Sequence, residues 1–509
     1  MSLHATVAVN RFGLGARPGE IAAVARDPRG WLLGQLVPET DLPVPLAALP
    51  STVDDLSVFG KWTTELARKA RAQGMDPATM APKAQADGMS AKAGATENGN
   101  ASMGPGGLSV ENDFRRTFGP RHATALKARF DVASTTQRPF FERLVHFWSN
   151  HFVVSGAKPG ATAMPPSFER DAIRPHVMGR FVDMLLASSR HPAMLFYLDN
   201  VLSIGPNSEL GRNPALRQSA VQRDFAIPVS RGLNENLARE ILELQTLGVR
   251  SGYQQADVTS FAKVLTGWTV ARPPRVPYGQ LVLQGRLNAA GLFDFDPQTH
   301  EPGPQTVLGE VVAQEGVEQG EAVLRRLAAH PATARFIATK LARHFVSDRP
   351  PVSVVERLAS VFKDSGGELP RLYAALVDSP EAYAAPLQKF KTPQEYLVSA
   401  LRALPDIRMD AASLQRTIAN LGQVPYNPPG PNGWPDIEDE WLGADALWKR
   451  LLWANEVAQG VAGSVPVARL AQELLGSALS PATRQAVERA ESPMQGLTLL
   501  LASAEFQRR

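Results

Sequence analysis

The residues best placed to do chemistry in this chain share one helical stretch, Asn234-Glu235-Asn236-Leu237-Ala238-Arg239-Glu240-Ile241-Leu242-Glu243-Leu244-Gln245-Thr246-Leu247-Gly248. At about 100° per residue, Leu237, Ile241 and Leu244 share a face, Leu247 widens it, and Glu240 falls inside that apolar arc. A carboxylate facing a core is costly unless it is paired or takes up a proton. Glu240 is therefore expected to meet a cation, a metal or a dedicated hydrogen-bond donor, and it is the first candidate for a general base. On the outer face Glu235, Arg239 and Glu243 stand four residues apart, the spacing of a solvated ion-pair ladder. Arg239 is also placed to clamp an anionic group. Asn234 is a candidate N-cap or substrate contact, and Gly248 suits the position after the last turn.

A second stretch, Phe140-Phe141-Glu142-Arg143-Leu144-Val145-His146-Phe147-Trp148-Ser149-Asn150-His151-Phe152, stacks Glu142, His146 and Asn150 opposite Phe140, Leu144, Phe147 and Trp148. His151 falls on the apolar side. Histidines five residues apart point about 140° away from each other on a regular helix. His146 and His151 are thus not the i, i+4 pair of a zinc protease. A helix end near Asn150, favoured by the β-branched Val153-Val154, or a π-bulge would bring them closer. His151 reads either as a satisfied core histidine or as a partner of Glu240 or of a metal. The expectation is that Glu240, His151 and His146 converge across two neighbouring helices, with Asn150 as a substrate contact. His300 lies in a loop, Phe293 to Gly303, beside acidic residues, where a histidine is free to bind a ligand or substrate. A divalent metal is one candidate cofactor, and no motif fixes it. His330 and His344 read as ordinary helix residues, and Asp199-Asn200 as a turn or a ligand pair. Gly13 to Gly19 precedes no βαβ pattern and reads as a turn.

These residues need a frame, and helical periodicity supplies most of it. The spacing predicts helices over 53–71, 137–151, 171–189, 234–248, 254–266, 322–346, 354–364, 369–385, 392–404 and 447–460, among others. Strand-like runs are short: 276–283 is the clearest, with 306–312 as its expected hairpin partner. The fold class is mainly α, a multi-helix globular body with a small β-hairpin element and long loops. From Ala72 to Ser109 the chain falls to Ala, Gly, Met, Pro, Lys, Asn and Ser, which bury too little to offset ordering entropy. The expected organisation is an N-terminal helical part (1–71), a disordered low-complexity loop (72–109), a central helical part with the site (110–270), a loop and hairpin insertion (271–320) and a C-terminal helical part (321–509).

Composition narrows the function classes. The 509 residues are 44% hydrophobic and 20% charged, and 53 Lys and Arg against 50 Asp and Glu give a net charge of +3, with no basic stripe suited to nucleic acid. Without cysteine there is no disulfide, no thiolate nucleophile and no cysteine-held metal. No apolar run reaches the roughly 18–20 residues of a membrane span, and no leader pattern opens the chain, so as written it reads as cytoplasmic. The tryptophans Trp434, Trp441, Trp448 and Trp453 are candidates for a sugar-stacking cleft or for core.

Several motifs in order carry a family resemblance: Asn10-Arg11-Phe12-Gly13-Leu14-Gly15, His146-Phe147-Trp148-Ser149-Asn150-His151-Phe152, His191-Pro192-Ala193-Met194-Leu195 with Leu198-Asp199-Asn200, Asn234 to Glu240, Leu265-Thr266-Gly267-Trp268 and Gly430-Pro431-Asn432-Gly433-Trp434-Pro435. Together they resemble the DUF1800 family of bacterial proteins, over nearly the whole chain. The resemblance implies no reaction. It does imply frequent export of relatives and a DUF1501-like partner of the alkaline phosphatase-like class. Gln245 stands where the family pattern has histidine, and an amide is a poor transition-metal ligand. Two function classes follow. One is a metal-assisted or Glu/His-dependent hydrolase or lyase on a polymeric or glycan-like substrate, with Glu240 as base or ligand, His146, His151 and His300 as ligands or acids, and Arg239 as anion clamp. The other is a non-catalytic helical scaffold or partner-binding protein.

Overall fold

Proline and capping side chains set where the helices of this chain begin. Proline occupies the first turn of the helices opening at Pro139, Pro192, Pro331, Pro393, Pro481 and Pro493, where its missing N–H costs nothing and its fixed φ suits the helix. His191 and His330 each accept the N–H two residues on, at 3.1 Å, which ends one helix and starts the next. The runs expected as single helices over 171–189 and 322–346 are broken, the second at the His330 cap. The first becomes a π turn, a 3₁₀ turn and a helix from Phe181, and the second splits at His330-Pro331.

The computed structural model describes residues 2–72, 110–158, 160–213, 232–249, 251–271, 292–384, 387–461, 463 and 465–509. The low-complexity segment 73–109 and the strand expected at 276–283 lie outside the described residues. The longer elements are α1 (Thr52–Ala72), α2 (Val110–Thr135), α3 (Pro139–His151), α4 (Phe181–Arg190), α5 (Gln255–Leu265), β1 (Trp268–Val270), β2 (Phe293–Phe295), β3 (Gln305–Val307), β4 (Glu310–Val312), α6 (Val317–Ala329), α7 (Pro331–Phe345), α8 (Val352–Asp364), α9 (Leu369–Val377), α10 (Pro393–Ala403), α11 (Ala411–Asn420) and α12 (Ala444–Val461). Three more helices, α13 (Val467–Leu475), α14 (Pro481–Glu488) and α15 (Pro493–Ala502), close the chain order. The protein is mainly α. Among the described residues, no helix is long and apolar enough to cross a membrane.

Two small antiparallel sheets are present among the described residues, β1 with β2 and β3 with β4. Residues 306–312 thus form a hairpin by themselves, and the expected pairing of that run as one strand is corrected. The reason is local: Leu308 and Gly309 both have positive φ, at 54° and 76°, the conformation of a two-residue hairpin turn.

Two hydrophobic clusters form the core. The larger gathers side chains from Val7 to Leu387, including Phe140, Trp148, Phe181, Trp268 and Phe345. The second gathers Tyr396, Trp453, Leu470, Leu497 and their neighbours with Leu126 and Phe130 of α2. The Leu3–Val7 helix and its π continuation, Ala8–Phe12, are wedged between them. Val7, Ala8 and Phe12 face the larger cluster, while Ala5 and Val9 face the second.

Gly248 ends the turn after Thr246 with φ 89°, and a Cβ there would stand 2.8 Å from the Phe336 ring of α7. Gly248→Ala is expected to lower stability by about 1–2 kcal/mol for the left-handed backbone alone, and further for the clash. Urea denaturation checks it, and an unchanged midpoint would contradict the packing of this turn on α7.

Candidate functional site

Helix α3 supplies the floor of the site. Its apolar side chains are buried in the larger core, which turns Arg143, His146 and Asn150 into the cavity lined also by α7, α10 and the 423–436 segment, while Glu142 meets Arg174. Asn150 clamps that segment from both sides of its amide. Its Nδ2 donates to the Trp434 carbonyl at 2.9 Å and its Oδ1 accepts the Trp434 N–H at 2.8 Å.

Beneath the site lies a buried carboxylate held by two guanidinium groups. Glu395 is the third residue of α10 and closes a capping box, its Oε2 accepting the Thr392 N–H at 2.9 Å. Its Oε1 meets Arg143 of α3 and, at 2.8 Å, Arg509. Burial alone would raise this carboxyl, but Arg509 and Arg143 outweigh it and hold Glu395 well below the usual carboxylate range. Arg143 is itself drawn down to about 9, by burial and then by Arg509. It also donates to the Gly13 carbonyl at 2.5 Å, while its Nη2 is buried without a partner.

Arg509 carries this network to the chemistry, donating to the backbone carbonyl of His344 at 2.6 Å. The His344 Nδ1 lies 3.1 Å from Oδ1 of Asp436, and its Nε2 is buried with no partner. A carboxylate only accepts, so Nδ1 carries the hydrogen and Nε2 presents a lone pair. Burial, then Arg509, draws His344 down to about 4 and leaves it neutral. Asp436, which burial would raise, is held at about 2 by His344, Lys340 and Lys389.

His146 takes the opposite tautomer. The Gln394 Oε1 accepts from Arg129 at 2.6 Å, which turns its Nε2 toward His146 Nδ1 at 3.1 Å. Nδ1 is then the acceptor and Nε2 carries the hydrogen; it lies 3.6 Å from Oε1 of Glu142, too far for a hydrogen bond, and is buried without a partner. Glu142 is in turn bound by Arg174 at 2.5 Å.

Arg143, His146, Asn150, His344, Glu395 and Asp436 all line one cavity of about 130 Å³, at the seam between the two hydrophobic clusters. That volume admits a few waters or one polar group of a larger ligand. Trp434, Tyr426, Phe168 and several prolines form its apolar walls. Of the other tryptophans, Trp441 and Trp453 are buried and Trp448 is exposed.

Of the residues singled out from the sequence, the structure brings His146 and Asn150 into this cavity. His151 lies on the other side of α3, its Nε2 bonded to the Gln245 carbonyl at 3.1 Å among Trp148, Phe152 and Phe336. Glu240 is half-buried, raised to about 7 by burial and then by Glu243, and its charge acts on Tyr197. No hydrogen bond or ion pair joins Glu240 to either histidine among the described residues. Arg239 pairs with Glu235 and Glu243, at 3.1 and 3.3 Å, as a surface ladder. Asn234, expected at the N-cap, lies one residue before it: Glu235 is the N-cap of the helix that opens at Asn236, and the Asn234 Oδ1 accepts the Asn236 N–H at 2.9 Å. His300 meets the Thr266 carbonyl at 2.8 Å, away from the cavity. Among the described residues no three His, Asp or Glu side chains form a metal-ligand set.

Sequence reasoning missed Arg143, His344, Glu395 and Asp436. Glu395 has a sufficient local explanation as a capping box, and His344 sits unremarkably on an amphipathic helix. Their partners lie far away in sequence. The one local signal was the Gly430 to Pro435 motif, which Asp436 directly follows.

The family model described as "Protein of unknown function (DUF1800)" matches residues 7–508. No curated protein and no solved structure matches the chain.

Burial holds His146, His151, His191 and His344 below the ordinary histidine value of 6.5. Between that value and about 4 the unfolded chain binds protons that the fold does not, so stability is full above about 6.5 and falls on acidification. His122 and His176 are lowered by burial too, while Glu240, raised to about 7, Asp55, raised to about 6, and Glu39, also raised, act in the opposite sense, as three carboxyls against six imidazoles. The thermal midpoint is expected to fall between pH 6.5 and 4, and to fall less steeply in His344→Asn. A flat profile over that window would contradict neutral, buried imidazoles.

Proposed function

The chain belongs to the DUF1800 family, and we propose that it is a hydrolase or lyase on a polymeric or glycan-like substrate, in which His344 is the general base. The observation that carries this reading is a neutral imidazole oriented by Asp436, with its Nε2 lone pair unclaimed and its ring in the wall of a cavity. Such a nitrogen takes a proton from water in hydrolysis, or from carbon beside a carbonyl in elimination. Asp436 keeps the tautomer and favours the imidazolium that forms. The free Nη2 of Arg143 is the donor for the oxygen on which negative charge develops. Trp434 and Tyr426 offer faces on which a sugar ring packs. The Glu/His form of the chemistry has donors to draw on here, with His344, Asp436 and Arg143 in the roles first expected of Glu240, His151 and Arg239.

One observation favours the alternative, a non-catalytic scaffold, for instance for a DUF1501-like partner. The Arg143, Glu395 and Arg509 network has a complete structural role in joining α3 to α10, and buried ion pairs are common in purely structural settings. The same experiment separates the two. Wild-type protein and His344→Asn, which keeps a donor for Asp436 but lacks Nε2, are incubated with a panel of polysaccharides and polyesters. The expected outcome is product release by the wild type, reduced by at least about 100-fold in the variant with its fold retained. A wild type inactive across the panel, or a variant as active as wild type, would contradict the reading.

A further inference from the structure

Tyr426 stands in the cavity wall in a conformation that a tyrosine rarely adopts. Its φ is 55°, and among the described residues outside glycine only Asp199 and Leu308 share the left-handed region. That conformation costs a side-chain-bearing residue about 1–2 kcal/mol, and it persists where the surroundings over-determine it. Here they do. The Tyr426 carbonyl accepts the Gly156 N–H at 2.7 Å, and its ring packs on His122 with centroids 5.3 Å apart. Tyr426 belongs to the same 423–436 segment that presents Trp434 and Asp436. Tyr426 is half-buried, and among the described residues no protein group hydrogen-bonds its hydroxyl. The fold holds a phenol at the cavity wall and leaves its proton uncommitted.

We propose that Tyr426 is the proton donor to the leaving oxygen, so that the bond cleaved carries an unactivated alkoxide leaving group such as a sugar hydroxyl. This rests on the reading of the cavity as an active site with His344 as base. In hydrolysis, Nε2 of His344 takes a proton from water as the water oxygen bonds to the electrophilic carbon. The bond from that carbon to the leaving oxygen breaks, its electron pair stays on the oxygen, and the Tyr426 O–H proton neutralises it. The imidazolium then returns its proton to the phenolate through solvent, restoring both groups. In elimination Nε2 takes the proton from the carbon beside a carbonyl, the C–H electron pair forms a C=C bond to the neighbouring carbon, the bond from that neighbour to the leaving oxygen breaks, and the Tyr426 O–H proton again neutralises the oxygen. Burial also keeps the phenol protonated, raising it above its ordinary range against the pull of Arg129.

The test compares wild type, Tyr426→Phe and His344→Asn on two substrates that share the reacting carbon and differ in the leaving group. One carries a methyl or sugar alcohol and the other para-nitrophenol, which departs without a proton. The expected result is that Tyr426→Phe lowers kcat at least about 100-fold on the alcohol substrate, with KM little changed, and no more than about threefold on the nitrophenyl substrate. His344→Asn lowers both. Equal activity of Tyr426→Phe and wild type, with His344→Asn inactive, would overturn the role of Tyr426 and leave the base standing. Equal loss on both substrates in Tyr426→Phe would make the residue structural and likewise overturn it. No turnover of either substrate by wild type would overturn both proposals together.

Discussion

The Glu395 carboxylate is the constraint on which the rest of the site depends. It is buried between Arg143 and Arg509, and those two side chains reach to α3 and to the backbone of His344. A buried charge is tolerated only when it is paired and hydrogen-bonded, and removing one partner of such a group costs about 3–5 kcal/mol. Glu395 meets that condition with two cations and one backbone N–H. Because Arg143 and Arg509 both bind it, and Arg509 also binds the His344 carbonyl, α3, α10 and α7 are tied to one another. The cavity they enclose is therefore set by electrostatics that also stabilise the fold.

Within that frame the two cavity histidines have been given different jobs by their neighbours. Gln394, fixed by Arg129, turns His146 so that its proton points to Glu142. Asp436 turns His344 so that its Nδ1 proton is held by a carboxylate and the Nε2 lone pair remains. Burial keeps both neutral. The Nε2 of each is buried without a hydrogen-bond partner, but on His146 it carries the hydrogen, 3.6 Å from a Glu142 held by Arg174, while on His344 it is a lone pair. That difference separates a structural imidazole from a candidate base more sharply than exposure or position along the chain.

The mainly α character was legible in the sequence because it follows from local periodicity, proline and caps. The ladder of Glu235, Arg239 and Glu243 was legible for the same reason, being an i, i+4 pattern on one helix. His146 and Asn150 were legible as a polar stripe opposite an apolar one. What spacing along one helix does not encode is which distant element lies opposite. Glu240 was singled out by its angle, yet at the end of a short helix that loosens into a π turn it is only half-buried, beside Tyr197. Asp436 follows a proline- and glycine-rich run with no periodicity, and it joins His344 across 92 positions of sequence. Tyr426 gave no signal at all, since a left-handed backbone at a tyrosine is imposed by Gly156 and His122 from elsewhere.

The claim that carries the functional account is that His344 is a neutral imidazole with its hydrogen on Nδ1 and a free lone pair on Nε2. Long-range proton–nitrogen correlation spectra of protein labelled with nitrogen-15 histidine report this directly at pH 7. The account predicts a protonated Nδ1 and an unprotonated Nε2 for His344, with that distinction lost in Asp436→Asn. An imidazolium at His344, or the hydrogen found on Nε2, would contradict it.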